Sequence, residues 1–239
     1  MSLKKEMPRL LLFGGNGTIG RSIRTKFQAH GWEVIVITRE SSQDKNIIQW
    51  NPLDENTNIE ISTIFEKTSP FDAVCWAQGM NLSDDIYSYD INSHMEMYMA
   101  NVVYILNSLN ILLLSNAIKK PAKFCVLSSI WQNISRQNKL SYSITKSALQ
   151  GLVLSLSNDL AKDGHLINAV LPGATETPMT RANLSREQIS KIENSTQFGR
   201  LAALDDVSNS VFSLCSEINT GITGNFVTVD LGFSNVRNI

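Results

Sequence analysis

Tyr142 and Lys146 stand four residues apart in Tyr142-Ser143-Ile144-Thr145-Lys146, the spacing that puts two side chains on one face of a helix. A free phenol has a pKa near ~10 and is a poor base at neutral pH. An ammonium beside it favours the phenolate and lowers that value. Such a pair can pass a proton to or from a carbonyl or alcohol oxygen. Ser129 lies 13 residues before Tyr142 and follows a short apolar run, Phe124-Cys125-Val126-Leu127. A hydroxyl leaving the end of that run is placed to hydrogen-bond the same substrate oxygen. Asn101 is a polar amide in an apolar helical stretch with Met99, Val102, Val103 and Ile105, so it asks for a buried partner. A packed core asparagine is the plain alternative.

A second constellation is a glycine-rich turn, Gly14-Gly15-Asn16-Gly17-Thr18-Ile19-Gly20. It sits between an apolar run and a helical pattern, the context in which such a turn holds a dinucleotide. Glycines at 14, 17 and 20 allow close backbone approach, and the helix start aims its N–H groups at an anion. No Gly-Lys-Ser/Thr follows, which disfavours an ATPase loop. The next apolar run ends in Thr38-Arg39. An acid there would accept from the ribose 2′-OH of NAD, whereas an arginine favours the 2′-phosphate of NADP. The residues thus favour NADP(H), with NAD(H) possible. Asp44 lies close enough in sequence to compete for Arg39.

These residues need a frame. Short apolar runs at 10–13, 34–37, 47–50, 73–76, 124–127, 167–171 and 226–229 read as strands. Helical spacing occupies 18–30, 59–67, most of 84–120 (as two helices), 141–162 and 205–215, and 180–197 is polar and weakly helical. Strands alternate with helices from end to end. That pattern predicts an α/β fold, a doubly wound, mostly parallel seven-stranded sheet covered on both faces. No linker or repeat divides the chain, so one domain is expected over 1–239. Residues 179–200 form a candidate substrate lid.

The 239 residues carry 21 Lys+Arg against 22 Asp+Glu. That balance, without a basic block, argues against nucleic acid as a partner. No uninterrupted apolar run reaches the ~18 residues of a membrane span. The patch at 10–13 is too short for a secretory leader and lacks a cleavage site, so none is expected. Cys75, Cys125 and Cys215 are widely spaced, and His30, His94 and His165 show no ligand spacing. Core thiols in a cytoplasmic compartment and no metal site are the expectation.

Taken together, these motifs resemble the short-chain dehydrogenase/reductase family in its compact single-domain branch, over about 10–232. The resemblance implies a catalytic tetrad of Asn101, Ser129, Tyr142 and Lys146. In it the Asn holds a relay water, the Ser orients the carbonyl, the Tyr is the acid/base, and the Lys also grips the nicotinamide ribose. Asn168-Ala169-Val170-Leu171-Pro172-Gly173 followed by Thr177-Pro178-Met179 resembles the segment that closes over the nicotinamide. It implies Pro172, Gly173, the Thr175 backbone and the Thr177 hydroxyl as cofactor contacts. Thr223-Gly224 and Val229-Asp230-Leu231-Gly232 resemble the end of the family sheet. Asn51, Ala77, Gln78 and Gly79 fall at adenosine-side positions. Met80, Asn81, Ile130, Trp131 and Met179 fall at substrate positions.

The sequence departs from the family pattern in places. Phe13 replaces a Thr and Thr18 a Gly in the turn, and Trp76-Ala77-Gln78-Gly79 replaces N-N-A-G. Asn51 replaces an Asp, Tyr104 a small residue, and Leu231 a Gly. The resemblance is closest to 3-oxoacyl-carrier-protein reductases and related ketoreductases. It implies an enzyme that interconverts a small-molecule carbonyl and a secondary alcohol. It also implies a homo-oligomer, dimer or tetramer, with Met95, Met97, Met99, Leu149 or Leu152 available to a partner. A non-catalytic NADP(H)-binding regulator and a sugar-modifying enzyme are the alternatives.

Overall fold

The computed structural model describes residues 6–236, apart from the side chains of Met179 and Asn183. Seven strands form one sheet: β1 (Arg9–Phe13), β2 (Glu33–Thr38), β3 (Ile47–Gln49), β4 (Phe71–Trp76), β5 (Ile118–Leu127), β6 (Leu166–Pro172) and β7 (Phe226–Val229). Their order is β3-β2-β1-β4-β5-β6-β7, and every pairing is parallel. The winding reverses between β1 and β4, and the crevice outside the strand ends at such a reversal is where ligands bind in open α/β sheets.

Alternation along the strands divides the core into two layers. Leu11 and Phe13 of β1 join Ile35, Val74, Trp76, Phe124 and Val126 on one face. Leu10 and Leu12 join Val34, Val36, Cys75 and Cys125 on the other. The first layer is covered by α2 (Glu55–Glu66), by the helical run of α3 (Ile91–Tyr98) and α4 (Tyr104–Leu114), and by α5 (Leu140–Asp159). The second is covered by α1 (Thr18–Ala29) and α8 (Leu204–Cys215). Phe13 sits at the centre of the first layer. Its ring stacks on Trp76 at 5.8 Å and meets Tyr104 edge-on at 5.8 Å and Trp50 at 5.6 Å. The Trp76 indole N–H donates to Ser108 Oγ at 2.8 Å, which satisfies its one polar group.

Three boundaries differ from the sequence expectation. The helix expected from 59 starts at Glu55, because Asp54 caps it by accepting from Asn56 N at 3.0 Å. The helix expected from 84 starts at Ile91, capped by Asp90. Asp84 is instead buried and receives Ser141 N at 3.0 Å, so it tethers the start of α5. The helical stretch expected over most of 84–120 ends short of 120. It stops at Leu114, Asn116 adopts a left-handed φ of 53°, and the chain re-enters the sheet at Ile118, so that β5, expected over 124–127, also begins six residues early. The weakly helical 180–197 resolves into α6 (Pro178–Asn183) and α7 (Arg186–Glu193). A reciprocal capping box between Ser185 and Gln188 starts α7.

Helix 91–114 needs a second correction. Its 24 residues are long and apolar enough to cross a membrane by length and composition, although no uninterrupted apolar run showed this. Its inward face, with Val102, Ile105, Leu109 and Leu112, packs into the layer on the sheet, as a core helix does. Met97, Leu149 and Leu152 are buried in the chain's own interior, so they are not available to a partner.

Phe13→Ala removes the ring on which three other aromatics converge. We expect a loss of about 3–5 kcal/mol of unfolding free energy, read as a lower urea midpoint with an unchanged slope.

Candidate active site

The catalytic candidates arrive from three elements at the C-terminal edge of the sheet. Ser129 follows β5, is buried, and accepts from Trp131 N at 3.3 Å. Tyr142 and Lys146 project from the first turns of α5. Lys146 is 4% exposed and its ammonium donates to Leu127 O at 3.0 Å. Its Nζ lies 5.7 Å from the centroid of the Tyr142 ring. Asn101 sits in a π-helical turn, Met99–Val103, between α3 and α4. Such a turn adds one residue to the helix and re-aims a side chain.

The Asn101 amide is fully engaged. Its Oδ1 accepts from Met80 N at 2.7 Å, and its Nδ2 donates to Met80 O at 3.0 Å and Thr145 Oγ1 at 3.0 Å. It therefore ties the segment after β4 to α5. A Cβ on Gly79 would stand 3.3 Å from Asn101 Oδ1 and 3.6 Å from Lys146 Nζ, so these three residues meet at one point.

Burial sets the proton affinities here. It pushes the Lys146 ammonium down to about 8, and it pushes the Tyr142 phenol up to about 12, against an opposing hydrogen bond from Ser129. The lowering of the phenol by its lysine, expected from the spacing, is absent here: desolvation dominates, and the only opposing influence is the Ser129 hydrogen bond. Tyr142 stands in the structure as an acid.

The glycine turn forms a cradle. Gly14 has φ +73°, and a Cβ there would fall 2.5 Å from Gln78 N. A Cβ on Gly20 would fall 2.2 Å from Gly14 O. Asn16 is exposed, and Gly17 N donates to Gly14 O at 3.0 Å. Thr18 and Ile19 begin α1. Both polar atoms of the Gln78 amide are buried without a partner, a costly state that a ligand's polar groups would relieve. Backbone crowding and orphaned amide together fit a dinucleotide lying across the β1–β4 reversal.

Arg39 is exposed just beyond β2 and makes no ion pair among the described residues. Asp44, its possible competitor, pairs with Arg24 at 3.3 Å. Thr38 Oγ1 accepts from Glu40 N. Asn51 closes the turn into α2, with its Oδ1 accepting from Leu53 N, and does not reach the cleft wall.

A cleft of about 940 Å³ opens beside Tyr142. Of the residues expected there, Ile19, Ser129, Tyr142, Pro172, Gly173, Thr175, Thr177, Asn81 and Trp131 line it. Thr177 also caps α6, accepting from Thr180 N at 3.0 Å. Ile130, 2% exposed, and Met80, whose backbone is bound to Asn101, are not among the residues that line the cleft. The Met179 side chain lies outside the described residues. Sequence reasoning missed Arg136, Lys139 and Phe233 on the wall. The first two had a signal: basic residues directly ahead of Tyr142.

A family model described as enoyl-(acyl carrier protein) reductase matches residues 15–234. The chain belongs to the short-chain dehydrogenase/reductase family. It is 27% identical to the 3-oxoacyl-[acyl-carrier-protein] reductase FabG of Aquifex aeolicus (strain VF5), over 97% of this chain and 99% of that protein. The ligand-free aldohexose dehydrogenase AldT of Thermoplasma acidophilum superposes with a TM-score of 0.87, at 20% identity, over 98% of this chain and 96% of that one. ElxO with NADP bound superposes with a TM-score of 0.83, at 23% identity, over 95% and 98%. Members of this family are oxidoreductases, and the seven-stranded parallel sheet is the fold of these neighbours.

Gly20→Ala forces a methyl against Gly14 O. We expect the sheet to fold, by circular dichroism, and nicotinamide-dinucleotide affinity to fall by about tenfold or more.

Proposed function

We propose that this enzyme uses NADPH to reduce a ketone to a secondary alcohol. The observation that carries the reading is the grouping of Asn101, Ser129, Tyr142 and Lys146 at one end of the sheet, with Ser129 and Tyr142 on the wall of a cleft that Ile19 of α1 also lines. When bound, reduced nicotinamide supplies a hydride to the carbonyl carbon. Tyr142 gives its proton to the oxygen that becomes the hydroxyl. Its raised pKa keeps that proton in place through neutral pH. Ser129 hydrogen-bonds the same oxygen and fixes the face presented. The Lys146 ammonium stabilises the phenolate left behind, and Asn101 ties Met80 to Thr145, the residue beside Lys146. The cradle at Gly14, Asn16, Gly17, Thr18, Ile19 and Gly20 would hold the dinucleotide, with Ala77, Gln78 and Gly79 beside it and Pro172, Gly173, Thr175 and Thr177 at the nicotinamide end.

Arg39 supports NADPH over NADH, because an unpaired guanidinium suits a 2′-phosphate. The NADP held by ElxO and the 3-oxoacyl group in the name of the Aquifex aeolicus relative accord with this reading. Exposed Met95, Leu106, Ile144 and Leu154 on α3, α4 and α5 suit self-association through those helices. The free, buried cysteines suit a reducing cytoplasm.

Titration with NADPH and NADH, read by tryptophan-to-nicotinamide energy transfer, tests the cofactor. NADPH should bind tighter, and Arg39→Ala should weaken it by roughly tenfold or more with little effect on NADH. Equal binding, or an indifferent mutant, overturns the NADPH preference. Tyr142→Phe should cost about 10²–10⁴ in reductase kcat with cofactor binding retained.

The reduction rate should be level below pH 8 and fall as pH rises through about 8, where Lys146 loses its charge. Lys146→Arg should move that falling limb to higher pH. A profile level to pH 10 would remove Lys146 from the role assigned to it.

A further inference from the structure

Two cations on the cleft wall have no part in the scheme above. Lys139 is the residue immediately before α5 and is 4% exposed. Its Nζ donates to two neutral oxygens, Asn81 Oδ1 at 2.7 Å and Leu82 O at 3.2 Å, and it lies 5.4 Å from the Tyr142 ring centroid. It makes no ion pair among the described residues. The nearby Asp84 carboxylate is committed to the Ser141 N–H and hydroxyl. An ammonium has three N–H bonds, so one of the three remains after these two contacts. Arg136 is exposed, with its guanidinium 5.8 Å from the centroid of Trp131, another wall residue.

Among the described residues, no Asp or Glu lines the cleft. The third cation among them, Lys191 on α7, is paired with Glu187 at 2.8 Å. The unpaired charge that the described wall presents to the substrate space therefore comes from Arg136 and Lys139. They do not serve the dinucleotide phosphates. Both precede α5, on the β5 side of the sheet, whereas the glycine cradle belongs to β1. Two strand spacings, about 10 Å, separate β1 from β5 in the order β1-β4-β5. Burying an ammonium without an anion is costly. Burial and the charge of Arg136 push the proton affinity of Lys139 down, and the nearby Asp84 carboxylate offsets this only in part; an anion at the two cations would relieve the remaining repulsion.

We infer that the substrate carries an anionic oxygen group, a carboxylate or a phosphate, close to its reacting carbonyl, and that Lys139 and Arg136 bind that group while Tyr142 addresses the carbonyl. The inference rests on the reductase reading and narrows its substrate to oxo acids or phosphorylated ketones. A guanidinium and an ammonium together meet either anion, the first by paired N–H bonds and the second as a point charge.

The test uses two matched pairs of probes with the full chain and NADPH: 4-oxopentanoate against its methyl ester, and dihydroxyacetone phosphate against dihydroxyacetone. The anionic member of at least one pair should have the higher kcat/KM by about tenfold or more. The pair that shows it separates carboxylate from phosphate. Arg136→Gln and Lys139→Met should each shrink that ratio by about tenfold through KM. Arg136 is exposed, so its variant answers the question even if Lys139→Met folds poorly. Turnover of ketones with no anion preference, or a ratio indifferent to Arg136→Gln, overturns the inference and leaves the reductase reading standing. If no probe turns over, 4-oxopentanoate and inorganic phosphate are titrated against intrinsic fluorescence, with and without NADPH. Saturable quenching lost in Arg136→Gln upholds the anion site even where the reductase reading fails. No variant-sensitive signal overturns it.

Discussion

A parallel strand cannot return by a tight turn, so each strand of this sheet needs a crossover that carries the chain back to its start. All seven strands point the same way, and all seven C-terminal ends therefore share one edge. That constraint explains why residues scattered from Gly14 to Phe233 come together. The glycine turn leaves β1, Gly79 follows β4, Ser129 follows β5, and Gly173 follows β6. The sheet is buried on both faces, and its rigidity holds the loops that do the chemistry.

At that edge, function is set against stability. Lys146 has a folded pKa of about 8 against a reference value of 10.5. Its charged form is thus disfavoured by folding, and the cost is fully present below pH 8. The cost fades as pH rises from about 8 towards 10.5, where the unfolded chain would still hold the proton and the folded chain would not. At ~1.4 kcal/mol per pH unit, the penalty at neutral pH is on the order of 3 kcal/mol. An apolar residue would remove it. The ammonium is kept beside the Tyr142 ring, with Leu127 O accepting from it and Gly79 and Asn101 close by. Desolvation acts on Tyr142 in the opposite sense and holds its proton on. One physical cause thus leaves the tyrosine an acid and the lysine titratable near neutrality.

Much of this was legible in the sequence, for reasons that differ by residue. Largely apolar runs of four or five residues marked the strands, and the central ones, β1, β2 and β4, are apolar throughout that run because they are buried on both faces. Tyr142 and Lys146 were legible because helical spacing is local. Residues whose partners are distant were not. Asp84 looks like a helix start until its carboxylate is seen holding Ser141. Met97 and Leu149 look equally suited to an interface or an interior, because helical period gives a face and not its occupant. Ile130 stands next to a wall residue, yet a short 3-10 turn, Ile130–Gln132, directs it inward. The π-helical turn at Asn101 left no trace in the pattern, since one extra residue is lost between two apolar helices.

The departures from the family pattern make physical sense together rather than singly. Phe13, Trp76 and Tyr104 each replace a small or polar residue, and in the fold they are one cluster: Phe13 stacks on Trp76 and meets Tyr104 edge-on. Any one of these rings alone would overpack a site shaped for a smaller side chain. Placed together, they exclude water beneath the adenosine side of the crevice, and burial pushes the Tyr104 phenol well up against the charge of Arg39. The polar groups that the pattern would place there are gone. What remains on that side to address a nucleotide is the exposed guanidinium of Arg39 and the unpartnered amide of Gln78. Each ring packs in space that the other two define, so substitutions among the three are expected to couple rather than add.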